Sequence, residues 1–225
     1  MKILNKISRQ RLILILTSCV VVITLLVGAQ IFLRGAQAQG DTSPLAKPTI
    51  RCHKHDPCTY LASAGFSDTQ GQNQWSYQFS LDQETTFADM TYDSTNTQWQ
   101  GPEGGCLNST DWQHPGFSLC DSVRTWVSPG AGSVTLSANG LISVASNCSG
   151  STNTAGVQIR ILLNGVQLWP ATGWQVIPNG DTFSFPDVTT AVQAADQIQF
   201  VVAHVGSNNE CDTTTWDQLV TLVTK

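Results

Sequence analysis

The sequence predicts an all-β protein, an antiparallel β-sandwich of jelly-roll type that follows an N-terminal hydrophobic targeting helix. The clearest evidence is residues 155–170, where apolar and polar residues alternate on either side of Asn164-Gly165. This pattern is typical of a β-hairpin closed by a type I′ turn, and Pro170 ends the return strand. Further short alternating runs, separated by turn residues, occupy most of the chain from Trp75 onward, and no amphipathic segment of helical length interrupts them.

The same alternation predicts the other strands in chain order. They cover residues 75–81, 86–92, 123–127, 133–146 in two runs, 182–185, 188–192, 197–205 and 216–223. Residues 197–205 are apolar on both faces, which predicts a central strand. Between residues 93 and 117 the alternation is lost among Gly, Pro, Asn and Ser, which predicts a long irregular region. Residues 60–225 suit one domain of this class.

The first 38 residues are predicted to be a signal peptide or a signal anchor. Four basic residues precede an uncharged, largely apolar run over residues 12–33, which is long enough to span a bilayer as a helix. The motif Ala36-Gln37-Ala38 favours cleavage, whereas the length of the apolar run favours a retained anchor. A lipoprotein box at Cys19 is a third interpretation. All three predict an extracellular or cell-surface domain that meets the membrane through this segment alone.

The remaining chain is strongly acidic. Residues 39–225 contain six Lys and Arg against all sixteen Asp and Glu, a formal charge of 6 − 16 = −10. This balance argues against nucleic acid as a partner, because phosphates need a basic surface. It is compatible with calcium, which binds carboxylate and carbonyl oxygens.

Six cysteines lie beyond the apolar segment, and an oxidising compartment makes disulfides the expected state. Six cysteines allow fifteen pairings, among which sequence alone does not choose. The pairing we favour is Cys52–Cys58, Cys106–Cys120 and Cys148–Cys211. Residues 39–59 are then a linker with a small Cys/His loop, although its two Cys and two His could in principle hold zinc.

Enzyme signatures are absent from the sequence. It contains no G-x-S-x-G elbow, no H-E-x-x-H pair and no phosphate-cradling glycine loop. Acid–base chemistry also needs carboxylates or imidazoles placed together, and no such pair can be identified from the spacing. We therefore predict that the protein is not an enzyme.

Aromatic residues outside the strand patterns suggest a sugar-binding platform. Aromatic rings stack on the C–H face of a pyranose, while neighbouring polar groups bond its hydroxyls. The alternative is that loop aromatics close the ends of the sandwich. The tryptophans on strand patterns are predicted to be core, namely Trp75, Trp126, Trp169 and Trp216. The candidate carbohydrate-binding residues are Tyr92, Trp99, Trp112, His114 and Trp174.

A second candidate site is a calcium-binding loop near the C-terminus. Asn209, Glu210, Asp212 and Asp217 offer the oxygen ligands that calcium prefers, so they could hold a structural ion. The alternative is an ordinary solvated acidic loop.

A family resemblance extends over residues 65–223. It is carried by short motifs in a fixed order: GFSDTQGQNQWSYQF, MTYD, His114-Pro115-Gly116, VRTWVSPGAGSVTLS, QIRILLNGVQLWP and DTTTWDQLV. Together they resemble a secreted bacterial module that occurs beside glycoside hydrolases and in large surface proteins, and that is similar to jelly-roll carbohydrate-binding domains. The resemblance implies a module without catalytic function of its own. From the loop aromatics we predict that it binds polysaccharide weakly. The competing hypothesis is a structural or adhesive cell-surface protein that self-associates or pairs with other envelope proteins.

Overall fold

The computed structural model describes residues 56–224 except 82, 103–104, 117–119, 147–154 and 207. The predicted targeting segment, most of the linker, Cys52 and Cys148 lie outside these residues. No helix within the described ranges has the length and apolar character to cross a membrane.

The described chain is built from short strands joined in antiparallel pairs, with one α-helical turn, α1 (Ala62–Gly65), and one 3₁₀ turn (Gln72–Gln74). The strands in chain order are β1 (Pro57–Leu61), β2 (Trp75–Leu81), β3 (Ala88–Asp89), β4 (Thr91–Asp93), β5 (Gln98–Gln100), β6 (Leu107–Asn108), β7 (Trp112–His114), β8 (Cys120–Val127), β9 (Gly132–Ala138), β10 (Ile142–Val144), β11 (Val157–Leu163), β12 (Val166–Trp169), β13 (Gln175–Ile177), β14 (Thr182–Phe183), β15 (Val188–Val192), β16 (Gln197–His204), β17 (Thr214–Thr215) and β18 (Gln218–Thr224).

These strands form three sheets arranged in two layers. Sheet A has the order β1-β18-β9-β15, and sheet C has the order β14-β10-β17-β7-β6-β5-β4. Sheet B has the order β12-β11-β16-β8-β2-β3, with β13 also paired to β11. Sheets A and C share the second layer, because Tyr60 of sheet A and Trp99 of sheet C both pack against aromatic rings of sheet B. The prediction of an all-β antiparallel sandwich is confirmed.

Alternating side chains of sheet B form the core between the layers. Trp126 and Phe200 are fully buried on its inner face. The ring of Tyr60 from sheet A lies 5.3 Å from that of Trp126. The ring of Trp216, between β17 and β18, lies 5.5 Å from that of Phe200. Aromatic pairs at these distances bury large apolar areas, so they hold both parts of the second layer against sheet B.

The predicted hairpin at residues 155–170 is present as β11 and β12. Asn164 and Gly165 have φ values of 52° and 79°, as a type I′ turn requires. β12 lies at the edge of sheet B, whereas β16, the strand predicted to be central, and β8 occupy its centre.

Two other regions differ from the sequence prediction. β1 begins at Pro57 and pairs with β18, so the sandwich starts inside the segment assigned to the linker. Residues 93–117 are not simply irregular, since they contain β5, β6 and β7 of sheet C.

The disulfide between Cys106 and Cys120 is confirmed, with the two Cα atoms 5.6 Å apart. Cys58 and Cys211 are also disulfide-bonded. The cysteines that we favour as their partners, Cys52 and Cys148, lie outside the described residues, so these two pairings stay predictions.

Candidate functional site

The outer surface of sheet C carries an aromatic ring among polar side chains. In β7, Gln113 is fully buried and faces sheet B, so Trp112 and His114 on either side of it point outward. Trp112 is directly opposite Thr215 of β17. Ser143 of β10 is in turn opposite both Thr215 and Thr182 of β14. We call the five outward residues, Trp112, His114, Thr215, Ser143 and Thr182, the Trp112 face.

A buried polar layer beneath this surface fixes its position. Asn108, Gln113, Arg124 and Gln218 are all fully buried between sheet B and the second layer. The Gln218 side-chain amide donates to Gln113 at 2.6 Å, and that of Gln113 donates to the carbonyl of Ser122 at 3.1 Å. The Asn108 amide donates to the carbonyl of Val123 at 3.1 Å. These bonds join β6 and β7 to β8. Each also gives a partner to a buried polar group that would otherwise lack one.

Arg124 is the centre of this layer. Its five N–H donors are all used, by the side chains of Asn108 and Gln218 and by the carbonyls of Ser109, Trp112 and Trp216. Burial lowers the pKa of Arg124 to about 10, so it stays protonated at neutral pH. Because the guanidinium holds the Trp112 carbonyl, it orients the strand whose side chain stands on the outer face.

The Trp112 ring is half-buried and makes no ring contact with another described aromatic residue. Thr182 and Thr215 are exposed and Ser143 is half-buried. None of these three hydroxyls bonds to another described side chain or backbone group. The face therefore combines one aromatic surface with hydroxyls that are open to a ligand.

The electrostatics of this surface disfavour an acidic partner. Its outward positions contain neither Lys nor Arg, and burial lowers the pKa of His114, which keeps the imidazole neutral near pH 7. Two exposed acids, Asp111 and Asp181, directly precede Trp112 and Thr182. Asp93 on β4 accepts from the Gln100 amide at 2.7 Å.

Tyr92 and Trp99 lie on the opposite, inner side of sheet C. Trp99 is on β5 rather than in a loop, and only 4% of it is exposed. Its ring stacks on Tyr77 with centroids 5.1 Å apart, and its indole N–H donates to the carbonyl of Ser67 at 2.9 Å. Tyr92 contacts it edge-on at 5.2 Å. Trp99 is therefore a core residue that presents no face to a sugar.

Trp174 is separate from the Trp112 face and lies over the outer side of sheet B. The Arg160 guanidinium is 4.1 Å from the centroid of its ring and also donates to the carbonyls of Gln83 and Glu84. Trp174 packs with Phe87 on a small buried cluster around Val201. Trp174 therefore packs against other side chains on the outer side of sheet B and is not part of the Trp112 face.

The four predicted calcium ligands have different surroundings. Asp217 accepts from the backbone and hydroxyl of Ser63, both at 2.9 Å, and from Asn139. Asn209 is buried and donates to the carbonyl of Pro115, whereas Glu210 is exposed. No cluster of three or more His, Cys, Asp or Glu able to hold a metal occurs within the described ranges. Calcium binding stays a prediction.

Asp212 is fully buried, and burial raises its pKa to about 7, against a smaller opposing effect of a hydrogen bond from Asn179. Between pH 4 and 7 the folded chain therefore keeps a proton that the unfolded chain has lost. The stability that this bound proton contributes is fully present below pH 4. It is lost as the pH rises from 4 to 7. We expect the unfolding free energy of wild type to fall relative to that of Asp212→Asn between pH 5 and pH 8.

Urea unfolding of both proteins at the two pH values measures this difference. The comparison cancels His114 and His204, whose lowered pKa values act in the opposite direction and are common to both proteins. A difference that does not change with pH would show that Asp212 titrates normally in the folded chain.

The structure also reveals residues that sequence reasoning missed. Arg124, Gln113 and Asn108 determine where Trp112 stands, but polar residues in short strands look like surface positions. The signal available in the sequence was Arg124 itself, which shares the inward phase of Trp126 two residues later in β8.

The fold defines the class of protein as an all-β antiparallel sandwich. No protein-family model and no curated protein sequence matches the chain. Among solved structures, an isomalto-dextranase from Arthrobacter globiformis T6, complexed with panose, matches 74% of this chain at 12% identity with a TM-score of 0.31. The match spans 23% of the isomalto-dextranase chain.

Two carbohydrate-binding modules are also structural neighbours. A family 35 module from Clostridium thermocellum matches 73% of this chain and 97% of its own, at 13% identity with a TM-score of 0.29. The CBM35 from Cellvibrio japonicus Abf62 matches 75% of this chain and 95% of its own, also at 13% identity with a TM-score of 0.29. At such TM-scores the likeness carries no functional argument, so the functional assignment rests on the side chains of this chain.

Proposed function

We propose that this protein is a non-catalytic, extracytoplasmic module that binds polysaccharide weakly through the Trp112 face. The observation that carries the proposal is the half-buried Trp112 ring, which stands on a strand among open hydroxyls rather than within an aromatic cluster. A tryptophan ring stacks on the C–H face of a pyranose, and the hydroxyls beside it bond to those of the sugar. His114 on the same face adds a neutral polar group.

Weak binding is expected because the face has a single aromatic ring. Its polar groups are also hydrated before a sugar arrives, so each new hydrogen bond contributes only about 0.5–1.5 kcal/mol. Binding to a polymer compensates for this, because many equivalent sugars are available along one chain. We assign no catalytic step because the sequence carries none of the motifs that place reacting groups.

The test is retention on a panel of polysaccharides. The full-length chain, oxidised and kept in a mild detergent, is mixed with insoluble cellulose, xylan, mannan, chitin and cross-linked polygalacturonate. We expect wild type to be retained by at least one neutral polysaccharide, and Trp112→Ala to pass through. Trp174→Ala is the matched control, since Trp174 is also half-buried but lies on the other sheet.

Equal retention of wild type and Trp112→Ala would contradict the proposed site. No retention of wild type on any material would contradict the function. Light scattering would then decide whether the chain self-associates, as the competing hypothesis of a structural surface protein requires.

A further inference from the structure

The hydroxyls of the Trp112 face form a single row that runs across the strands. Trp112, Thr215, Ser143 and Thr182 are successive register partners on β7, β17, β10 and β14. Neighbouring strands are about 4.8 Å apart, so the row is about 14 Å long. One strand spacing is close to the length of one pyranose unit in an extended glycan chain, which places one sugar over each position.

On the other side of Trp112 the outward positions are less suitable for a sugar. In the row of Trp112 itself, the next residue toward β4 is Ser109, whose backbone N–H donates to the carbonyl of Trp112 at 2.9 Å. The neighbouring row runs from His114 to Leu107, which has no polar side-chain group. Beyond it, Gln100 is already bonded to Asp93 at 2.7 Å. The longer series of hydroxyls, three in succession, therefore lies toward β14.

The shape of the row favours a single polysaccharide chain as the ligand over the flat surface of a crystalline polysaccharide. Adjacent strands are rotated by about 20–25°, so the direction of the sheet turns by about 60–75° between β7 and β14. A rigid flat surface cannot touch all four positions of such a row, whereas a single chain can follow it. The absence of Lys and Arg from these positions favours a neutral chain over an acidic one.

We propose that this row binds one extended chain of a neutral polysaccharide across the strands, with one pyranose stacked on Trp112 and three further units over Thr215, Ser143 and Thr182. The inference rests on the proposed function, which it refines from polysaccharide in general to a site for four sugars of a single neutral chain. The chain lies roughly perpendicular to β7.

Calorimetric titration of the full-length chain with oligosaccharides tests the inference. The probes are cello-, xylo-, manno- and chito-oligosaccharides of two to six units. In the series that binds, affinity should rise about tenfold from disaccharide to tetrasaccharide, because each added sugar gains about one hydrogen bond. From tetrasaccharide to hexasaccharide the affinity should stay constant.

Variants separate this inference from the proposed function. The double variant Ser143→Ala/Thr182→Ala should bind the tetrasaccharide about tenfold more weakly and the disaccharide as well as wild type does. Thr91→Ala is the matched control, because Thr91 is an exposed threonine of the same sheet on the far side of Trp112. It should leave both affinities unchanged.

Loss of all binding in Trp112→Ala, with no effect of the double variant, would overturn the four-sugar site and leave the proposed function standing. Weaker tetrasaccharide binding by Thr91→Ala would also overturn it, because the chain would then run toward β4. Retention by crystalline cellulose with no binding of any soluble oligosaccharide would overturn the single-chain ligand. Binding by Trp112→Ala as strong as that of wild type would contradict both this inference and the proposed site.

Discussion

Replacing Arg124 by Met should lower the unfolding free energy by about 3–5 kcal/mol. The guanidinium is fully buried and supplies donors to five acceptors, three of which are backbone carbonyls. Methionine fills similar space but leaves these acceptors without donors, and each orphaned buried group costs about 1–3 kcal/mol. Part of this cost is offset because a buried charge is removed. Urea unfolding at pH 7 measures the net effect.

Arg160→Met is the matched control for Arg124. Its guanidinium donates to two carbonyls and stacks on a half-buried ring at the outer side of sheet B. We expect this change to cost about 1–2 kcal/mol. An Arg124→Met variant as stable as wild type would contradict the prediction for Arg124. It would mean that the cost of desolvating the charge cancels the free energy of its hydrogen bonds, and that the polar layer does not stabilise the position of sheet C.

Replacing Trp99 by Ala should also cost about 3–5 kcal/mol, the range for removing a buried tryptophan. The change removes the stack on Tyr77, the edge contact with Tyr92 and the bond to Ser67, and it leaves a cavity under sheet C. Chemical unfolding monitored by far-UV circular dichroism measures the loss.

Trp112→Ala is the comparison for Trp99→Ala, since the sequence placed both tryptophans on one sugar platform. We expect Trp112→Ala to change the unfolding free energy by less than about 1 kcal/mol, because its ring is half-buried on the outer face. Similar losses in the two variants would mean that Trp112 is a packing residue, which would weaken the case for a binding role.

The sequence was most informative where strands are long and alternation is regular. The hairpin of β11 and β12 could be predicted closely because Asn164-Gly165 determines the turn and seven residues precede it in one strand. β15 was predicted at its observed limits, Val188–Val192. Among the favoured pairings, the local one between Cys106 and Cys120 is present in the structure.

Sheet C could not be predicted, for two physical reasons. Its strands β5, β6 and β7 have two or three residues each, which is too short for a period to be visible. The inward positions of β6 and β7 are also polar, because Asn108 and Gln113 belong to the layer around Arg124. In β7 the usual pattern is therefore reversed, with tryptophan outside and glutamine inside.

For the same reason, the sequence predicted only part of the candidate site. The sequence identified Trp112 and His114 as unusual aromatic and imidazole groups, and the structure places both on one outer face. The sequence alone could not distinguish Trp112 and His114 from Trp99 and Tyr92, which face inward, or from Trp174, which lies on another sheet. The partner hydroxyls of Thr215, Ser143 and Thr182 come from distant parts of the chain and meet only through strand register.

The central claim is that sugar contacts Trp112 and not the other six tryptophans. The most direct measurement follows the seven indole N–H signals in a ¹H–¹⁵N NMR titration with the oligosaccharide that binds, the Trp112 signal being identified by its loss in Trp112→Phe. We predict that the Trp112 signal shifts progressively and saturates while the Trp174 signal stays in place. A shift of Trp174 with Trp112 unmoved would contradict the claim and place the sugar on the outer side of sheet B.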